Sequence, residues 1–229
     1  MNPELVLVVG DMFVPQRSPD ISDQFKSILI PNKLQHVLSL GNIGSRERND
    51  WLKSLSNDFH QVKGDYDEGD IPEKKVVQIG EFKIGMIHGH QVLPWGDQET
   101  LSNVQRELGC DILLSAHTHQ IEVRAKEGKF FINPGSISGA FSYSMPDPTP
   151  SFVLMVLQGE EAIVYLYVLN DKKEKFEVNK LEFSKNAGDF KKAEEEEEGE
   201  EEGEEKQDVP QSNEPQSTEQ PQEGTPVEG

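Results

Sequence analysis

Three times within the first 65 residues, a short apolar stretch stops on a glycine followed by a carboxylate or an amide: VLVVGD ends at Asp11, VLSLGN at Asn42 and FHQVKGD at Asp65. Apolar runs of about four to eight residues suit strands covered on both faces. Between them lie segments with helical spacing. Ser22 or Asp23 can cap a helix that turns Phe25, Ile28 and Leu29 inward before Pro31, and Trp51, Leu52 and Leu55 share one face after Arg46. Strands alternating with helices make a parallel α/β sheet, which collects ligands at the carboxyl ends of its strands. The three polar exits therefore belong to one end of one sheet.

The second half of the chain changes character. Residues 76–79 and 82–87 flank Gly80-Glu81 as a hairpin whose second strand runs into His88-Gly-His90. After a helix over 99–108, the apolar LLSA run delivers His117-Thr-His119 from another strand end. Strands are then expected at 121–125, 129–132, 151–158, 162–169 and 176–183. Helices in front and hairpins behind predict two packed sheets with helices outside.

Charge separates the chain into two parts. Of the net −20, residues 186–229 hold 16 acids against three lysines, a net of −13, which leaves −7 for residues 1–185. That acidic stretch has almost nothing to bury, so it reads as a disordered, solubilising tail behind a single domain of residues 1–185. Its charge argues against binding nucleic acid or anionic lipid. Cys110 is the only cysteine, so no intrachain disulfide forms. The opening apolar run is too short for a signal core, and no run is long enough to span a bilayer, so the chain reads as cytoplasmic.

The strand-end groups are Asp11, Asn42, Asp65, His88, His117 and His119. Carboxylate oxygen mixed with imidazole suits Zn, Mn or Fe. The order Asp11-Met-Phe13, Gly41-Asn42, Gly64-Asp65-Tyr-Asp67, His88-Gly-His90 and His117-Thr-His119 resembles the calcineurin-like metallophosphoesterases, whose motifs run DxH, GD, GN, H and GHxH. The resemblance implies a four-layer αββα sandwich of two mixed β-sheets flanked by helices, holding two metals. It also marks departures. Phe13 stands in place of a ligating histidine, Asn42 in place of the aspartate that bridges both ions, and Tyr66 in place of the histidine that protonates the leaving group. A phenyl ring has no lone pair for a metal, and a phenol is a far weaker acid than an imidazolium. The expectation is one divalent ion at most, Zn or Mn, held by Asp65, His88 and His117 with help from Asn42. Asp11 and His119 are left with little support, and hydrolysis should be slow or absent.

Within that superfamily, VLVVGD, FKIGMIHGHQVLPWGD, SAHTH, INPGS and PSFVLM resemble the branch that supplies the small subunit of retromer, an endosomal coat, over residues 5–183. The resemblance implies a non-catalytic scaffold in endosomal protein transport, reaching membranes only through partners. A weakly active metal-dependent phosphoesterase is the alternative. Leu93, bordered by Val92 and Trp95, would anchor the coat's α-solenoid subunit. Leu5, Ile28, Leu154, Tyr165 and Tyr167 would form an apolar patch for regulators of Rab GTPases.

Overall fold

The computed structural model describes residues 2–170, 175–185 and 190–192. Strand β1 (Glu4–Val9) lies inside the larger sheet because its side chains alternate between two apolar surroundings. Val6 and Val8 face a second sheet, whereas Leu7 and Val9 face helices. The same alternation recurs in β2 (His36–Ser39), with Leu38 facing one way and Val37 the other, and in β9 (Ser151–Gln158), where Val153 and Met155 oppose Phe152 and Leu154.

The larger sheet has seven strands in the order β12-β11-β10-β9-β1-β2-β3, where β3 is Asp58–Gln61, β10 Glu161–Asn170, β11 Lys175–Ser184 and β12 Phe190–Lys192. The smaller has five, ordered β4-β5-β6-β8-β7, from β4 (Lys74–Ile79), β5 (Phe82–Ile87), β6 (Ile112–Leu114), β7 (Ile121–Lys126) and β8 (Lys129–Pro134). Both are mixed: β1, β2 and β3 run parallel, as do β5, β6 and β8, and antiparallel strands flank each set. Their facing sides share one apolar interior built from Val8, Leu38, Ile84, Met86, Ile112, Phe130 and Met155 among others.

Helices complete the four layers. Helices α1 (Asp23–Ile28) and α2 (Arg46–Leu55) cover the larger sheet with Phe25, Leu52 and Leu55. Phe25 meets the Phe152 ring edge-on at 4.7 Å, a favoured geometry for aromatic quadrupoles. Helix α3 (Gln98–Leu108) covers the smaller sheet, packing Leu101, Val104 and Leu108 over Ile87 and Leu113. Each helix begins where a side-chain oxygen takes an otherwise unpaired backbone N–H: Ser22 from Phe25, Ser45 from Arg48 and Asp97 from Thr100.

The expected elements are present with shifted ends. Ile28 is half-buried rather than turned into the core, and Leu29 takes the buried place just after α1. Strand β6 is only three residues long, because the chain leaves the sheet early to form the histidine loop. Strand β12 pairs with β11 through Leu181–Lys192 and Phe183–Phe190, inside the stretch that the charge pattern assigns to the tail. The rest of that stretch lies outside the described residues. Among the described residues, no helix is long and apolar enough to cross a membrane.

Candidate metal centre

The six strand-end residues converge at the carboxyl ends of β1, β2, β3, β5 and β6. Their backbones are unusual. Phe13, Asn42, His117 and His119 all adopt left-handed conformations, with φ of 49°, 55°, 71° and 59°. Gly64 makes room for the centre, since a Cβ there would lie 2.1 Å from Oδ1 of Asn42. Asp67 braces the same loops, its Oδ2 accepting the backbone N–H of Asn42 (2.8 Å) and of Gly64 (2.9 Å).

Two imidazoles are oriented from behind. Nδ1 of His88 donates to the carbonyl of Leu40 over 2.6 Å, and Nδ1 of His119 donates to the carbonyl of Ala140 over 2.5 Å. This turns each Nε2 toward the centre, where it donates to a carboxylate when protonated and offers a lone pair to a metal when it is not. Nε2 of His88 lies 3.1 Å from Oδ1 of Asp65 and 3.2 Å from Nδ1 of His117. The ligand atoms of Asp65, His88 and His117 all lie within 4.8 Å of one another. The Asp65 and His117 side chains are 29% and 13% exposed, so this trio opens to solvent, whereas His88 is fully buried.

The other half of the centre is organised differently. Nε2 of His119 lies 3.4 Å from Oδ1 of the buried Asp11, whose Oδ2 accepts the backbone N–H of His117 at 2.8 Å. The position that would complete a second ion site is filled by the Phe13 ring, 5.8 Å from that of His119. The Arg17 guanidinium stacks 3.8 Å over Phe13 and lies 4.6 Å from the Tyr66 ring. A fixed cation beside the gap disfavours a second one. Between the halves, Nδ2 of Asn42 points at Oδ1 of Asp11 (2.9 Å), Oδ1 of Asp65 (2.8 Å) and Nε2 of His88 (3.0 Å). Its Oδ1 accepts the N–H of Tyr66 at 3.0 Å, so the amide turns donors, not a lone pair, toward the would-be ligands.

Electrostatics agree with a cation-seeking centre. Burial alone would raise the Asp11 carboxyl, but attraction to His88 and hydrogen bonds from His119 and Asn42 outweigh it and hold the group at about 2. Burial likewise opposes ionisation of Asp65, yet hydrogen bonds from His88 and Asn42 keep it well below the usual carboxylate range. His88 loses hydration but is raised by the charge of Asp11 and by Asp65, whereas His117 is lowered by burial and by repulsion from His88. Two imidazoles and a carboxylate, with Asn42 alongside, form a donor set fit for one borderline ion such as zinc.

A cleft of about 110 Å³ leads to the trio, walled by Arg17, Tyr66, Trp95 and Tyr143. The sequence reading missed Arg17 and Tyr143, which lie outside the strand-end pattern; an arginine four residues after the aromatic that replaces a ligand was the available signal for Arg17. Beside the cleft, Leu93 is 70% and Trp95 48% exposed, and the Trp95 ring stands 4.6 Å from that of His117. Val92 does not border this surface. At 1% exposure it packs against Ile87, Leu101, Cys110 and Leu113, because the turn that presents Leu93 points its neighbour into the core beneath α3.

The second expected patch lies on the helix-bearing face of the larger sheet. Tyr165 pairs across the strands with Leu154, and Tyr167 stacks on Phe152 at 4.7 Å. Leu5, Tyr165 and Tyr167 are half-buried and pack against the cluster that holds Leu154, which at 8% exposure is a core residue rather than an exposed contact. Ile28 is half-buried on α1.

Residues 5–160 match the family description of the calcineurin-like phosphoesterase superfamily domain. Vacuolar protein sorting-associated protein 29 of Schizosaccharomyces pombe is 40% identical over 172 residues, covering 73% of this chain and 92% of that protein. The structure of vacuolar protein sorting 29 from Cryptosporidium parvum superposes with a TM-score of 0.77 at 44% identity, covering 80% of this chain and 98% of that one. The wild-type Vps29 of Entamoeba histolytica, solved in complex with zinc, gives a TM-score of 0.72 at 44% identity, covering 80% and 99%.

Proposed function

The chain belongs to the calcineurin-like phosphoesterase superfamily and, within it, to the family of vacuolar protein sorting-associated protein 29, and from that premise we propose that it is a scaffold subunit of a retromer-type coat. The observation that carries this reading is the Asn42 amide, which donates toward Asp11, Asp65 and His88 from the place where a bridging carboxylate would join two ions. Two-metal phosphoryl transfer needs both ions, one to activate the nucleophile and one to stabilise the leaving oxygen. With Phe13 in a ligand's place and Tyr66 in the acid's, this chain keeps a binding centre and loses the reactive one.

Asp65, His88 and His117 would hold one ion, with zinc suited to the set and found in the Entamoeba histolytica relative. A bound ion would supply positive charge between groups that otherwise depend on protons and an amide, and so fix the loops that carry the rim. Leu93, with Trp95 beside it, is the anchor for the coat's α-solenoid subunit, since a protruding aliphatic flanked by an aromatic supplies the buried contact that dominates interface energy. Leu5, Tyr165 and Tyr167, packed with the cluster that holds Leu154, form the docking surface for Rab-GTPase regulators, with Ile28 of α1 its further member. The protein works in the cytoplasm and reaches endosomes through these partners, with a folded domain that takes in β12 beyond residue 185 and the acidic residues after it as a solubilising tail.

Pull-down with the α-solenoid subunit tests the assignment: Leu93→Asp abolishes capture, and intact capture overturns it. The second reading, a weak phosphoesterase, rests on the Nε2 atoms of His88 and His119, which are turned toward the centre. Turnover of an aryl phosphate in manganese that disappears in His117→Ala would establish it.

A further inference from the structure

Of the five arginines in the chain, four face a carboxylate: Arg46 pairs with Asp50, Arg48 with Asp20, Arg106 with Glu127 and Arg124 with Glu122. Arg17 differs. Among the described residues no carboxylate lies within ion-pairing distance of its guanidinium, although the chain carries 42 acids against 22 lysines and arginines. Its side chain instead donates from Nη1 to the carbonyl of Phe141 at 3.2 Å and stands 3.8 Å over the Phe13 ring and 4.6 Å from that of Tyr66. We propose that Arg17 is the charged contact of the docking face, receiving an aspartate or glutamate side chain of the α-solenoid subunit in the cleft beside Leu93.

Charge is the first argument. A guanidinium presents its N–H donors in a planar fork that matches a carboxylate, and here a carbonyl takes one donor while the aromatic rings hold the fork in place. Asp65 is the one acid in the lining of the cleft, and it is already engaged by Asn42 at 2.8 Å and His88 at 3.1 Å. The charge that complements Arg17 is therefore left for a partner to supply. Size is the second argument. A cleft of about 110 Å³ falls well short of the roughly 300–1,000 Å³ of small-molecule sites, and it suits one inserted side chain.

The rim points to a protein as the source of that side chain. Tyr66, Trp95 and Tyr143 wall the cleft with exposed rings, and Phe141 beside Tyr143 is exposed as well. Tyrosine, tryptophan and arginine are the side chains that most often dominate the energy of protein interfaces, and rings around a charged pair exclude water from it. Trp95 lines the cleft and also flanks Leu93, so the cleft and the apolar anchor form one continuous surface. The parts are fixed in advance: the backbone N–H of Arg17 donates to the carbonyl of Phe13 at 2.8 Å, Phe13 meets Tyr66 edge-on at 5.2 Å, and Phe141 meets Tyr143 at 5.5 Å. A guanidinium already positioned loses less freedom when the partner docks. The inference rests on the retromer reading for its partner and adds the chemistry that selects it.

The test measures the affinity of the full chain for the α-solenoid subunit at low and high salt. Arg17→Gln should weaken binding about tenfold or more at low salt and flatten its salt dependence, Arg17→Lys should recover part of the loss, and Arg17→Glu should bind worst. A purely structural role for Arg17 would lower affinity without changing the salt dependence. Because Tyr143 is 86% exposed, Tyr143→Ser tests the cleft even if loss of Arg17 shifts the rim, and it should weaken binding severalfold with an unchanged melting curve. If Arg17→Gln leaves affinity or its salt dependence unaltered, or Tyr143→Ser binds as well as the unmodified chain, while Leu93→Asp abolishes capture, the proposal fails and the retromer reading stands. If Leu93→Asp captures normally, the anchor assignment fails instead, and if the unmodified chain captures nothing, both fail.

Discussion

Asn42 and Asp65 face each other across a 2.8 Å hydrogen bond in which the amide is the donor. The same nitrogen lies 2.9 Å from Asp11, so one neutral group bridges two carboxylates. Replacing it tests what it does. Asn42→Asp adds a third negative charge to the cluster and removes its shared donor, so in chelator the variant should lose about 1–3 kcal/mol of stability. In millimolar manganese the deficit should shrink or reverse as the carboxylate bridges ions, and melting with and without metal reads the difference. A deficit that ignores metal would mean that Asn42 is only a packing group.

Leu93 and Val92 are chain neighbours in opposite surroundings, and aspartate separates their roles. Leu93→Asp, at an exposed site, should change stability by no more than about 0.5 kcal/mol while removing the proposed docking contact. Val92→Asp buries an unpaired charge beside Leu101 and Leu113 and should cost about 3–5 kcal/mol or prevent folding. Denaturant melting and partner capture, run side by side, should give opposite outcomes for the two.

Gly64→Ala probes the close approach of two loops. The added methyl would meet Oδ1 of Asn42 at 2.1 Å, and the loop braced by Asp67 leaves little room to yield. A loss of about 1–3 kcal/mol is expected, with weaker zinc binding because Asn42 and Asp65 are pushed apart. Calorimetric zinc titration beside a melting curve reads both effects.

Acid should reveal a pin far from the centre. Asp111 accepts from Lys129 at 2.8 Å and from Lys185 at 2.9 Å, tying the start of β6 to the end of β11. Burial opposes its ionisation, but those lysines and the backbone of Lys83 outweigh it and hold the carboxyl below its ordinary value of 3.8. A depressed folded-state value means that the contribution is complete above the unfolded value and fades as pH falls through the folded one. Asp111→Asn should therefore cost about 1–3 kcal/mol at pH 7 and much less in acid well below the carboxyl's ordinary value. Urea melts at both pH values measure the difference.

How far the chain could be read from its residues depended on which interaction decided each feature. The strand exits at Asp11, Asn42 and Asp65 were legible because glycine and a polar residue after an apolar run are local signals, and the two-sheet architecture followed from strand-rich pattern behind alternating strands and helices. Val92 was not, since an apolar residue beside an exposed one in a turn carries no mark of which way it points. Leu154 misled for a related reason: alternation identifies its face, but its burial depends on neighbours from other elements, Tyr165 on the next strand among them. The direction of the Asn42 amide was beyond sequence altogether, because it is set by the backbone of Tyr66, a contact that exists only once the loops close. Strand β12 was hidden by the acid that follows it, which sets the average for the whole segment.

The four left-handed residues at the cleft put a standing load on the fold. Held outside the conformations that side chains prefer, each costs on the order of 1 kcal/mol, whatever ion or partner arrives later. Phe13 offers no lone pair and Asn42 turns its N–H groups toward the neighbouring carboxylates, so neither conformation aims a ligand atom at the centre. A protein with no use for this rim could shed the load by admitting glycine or trimming the loops. What the strain keeps in place is a contour: the cleft is a mould held under tension before anything enters it.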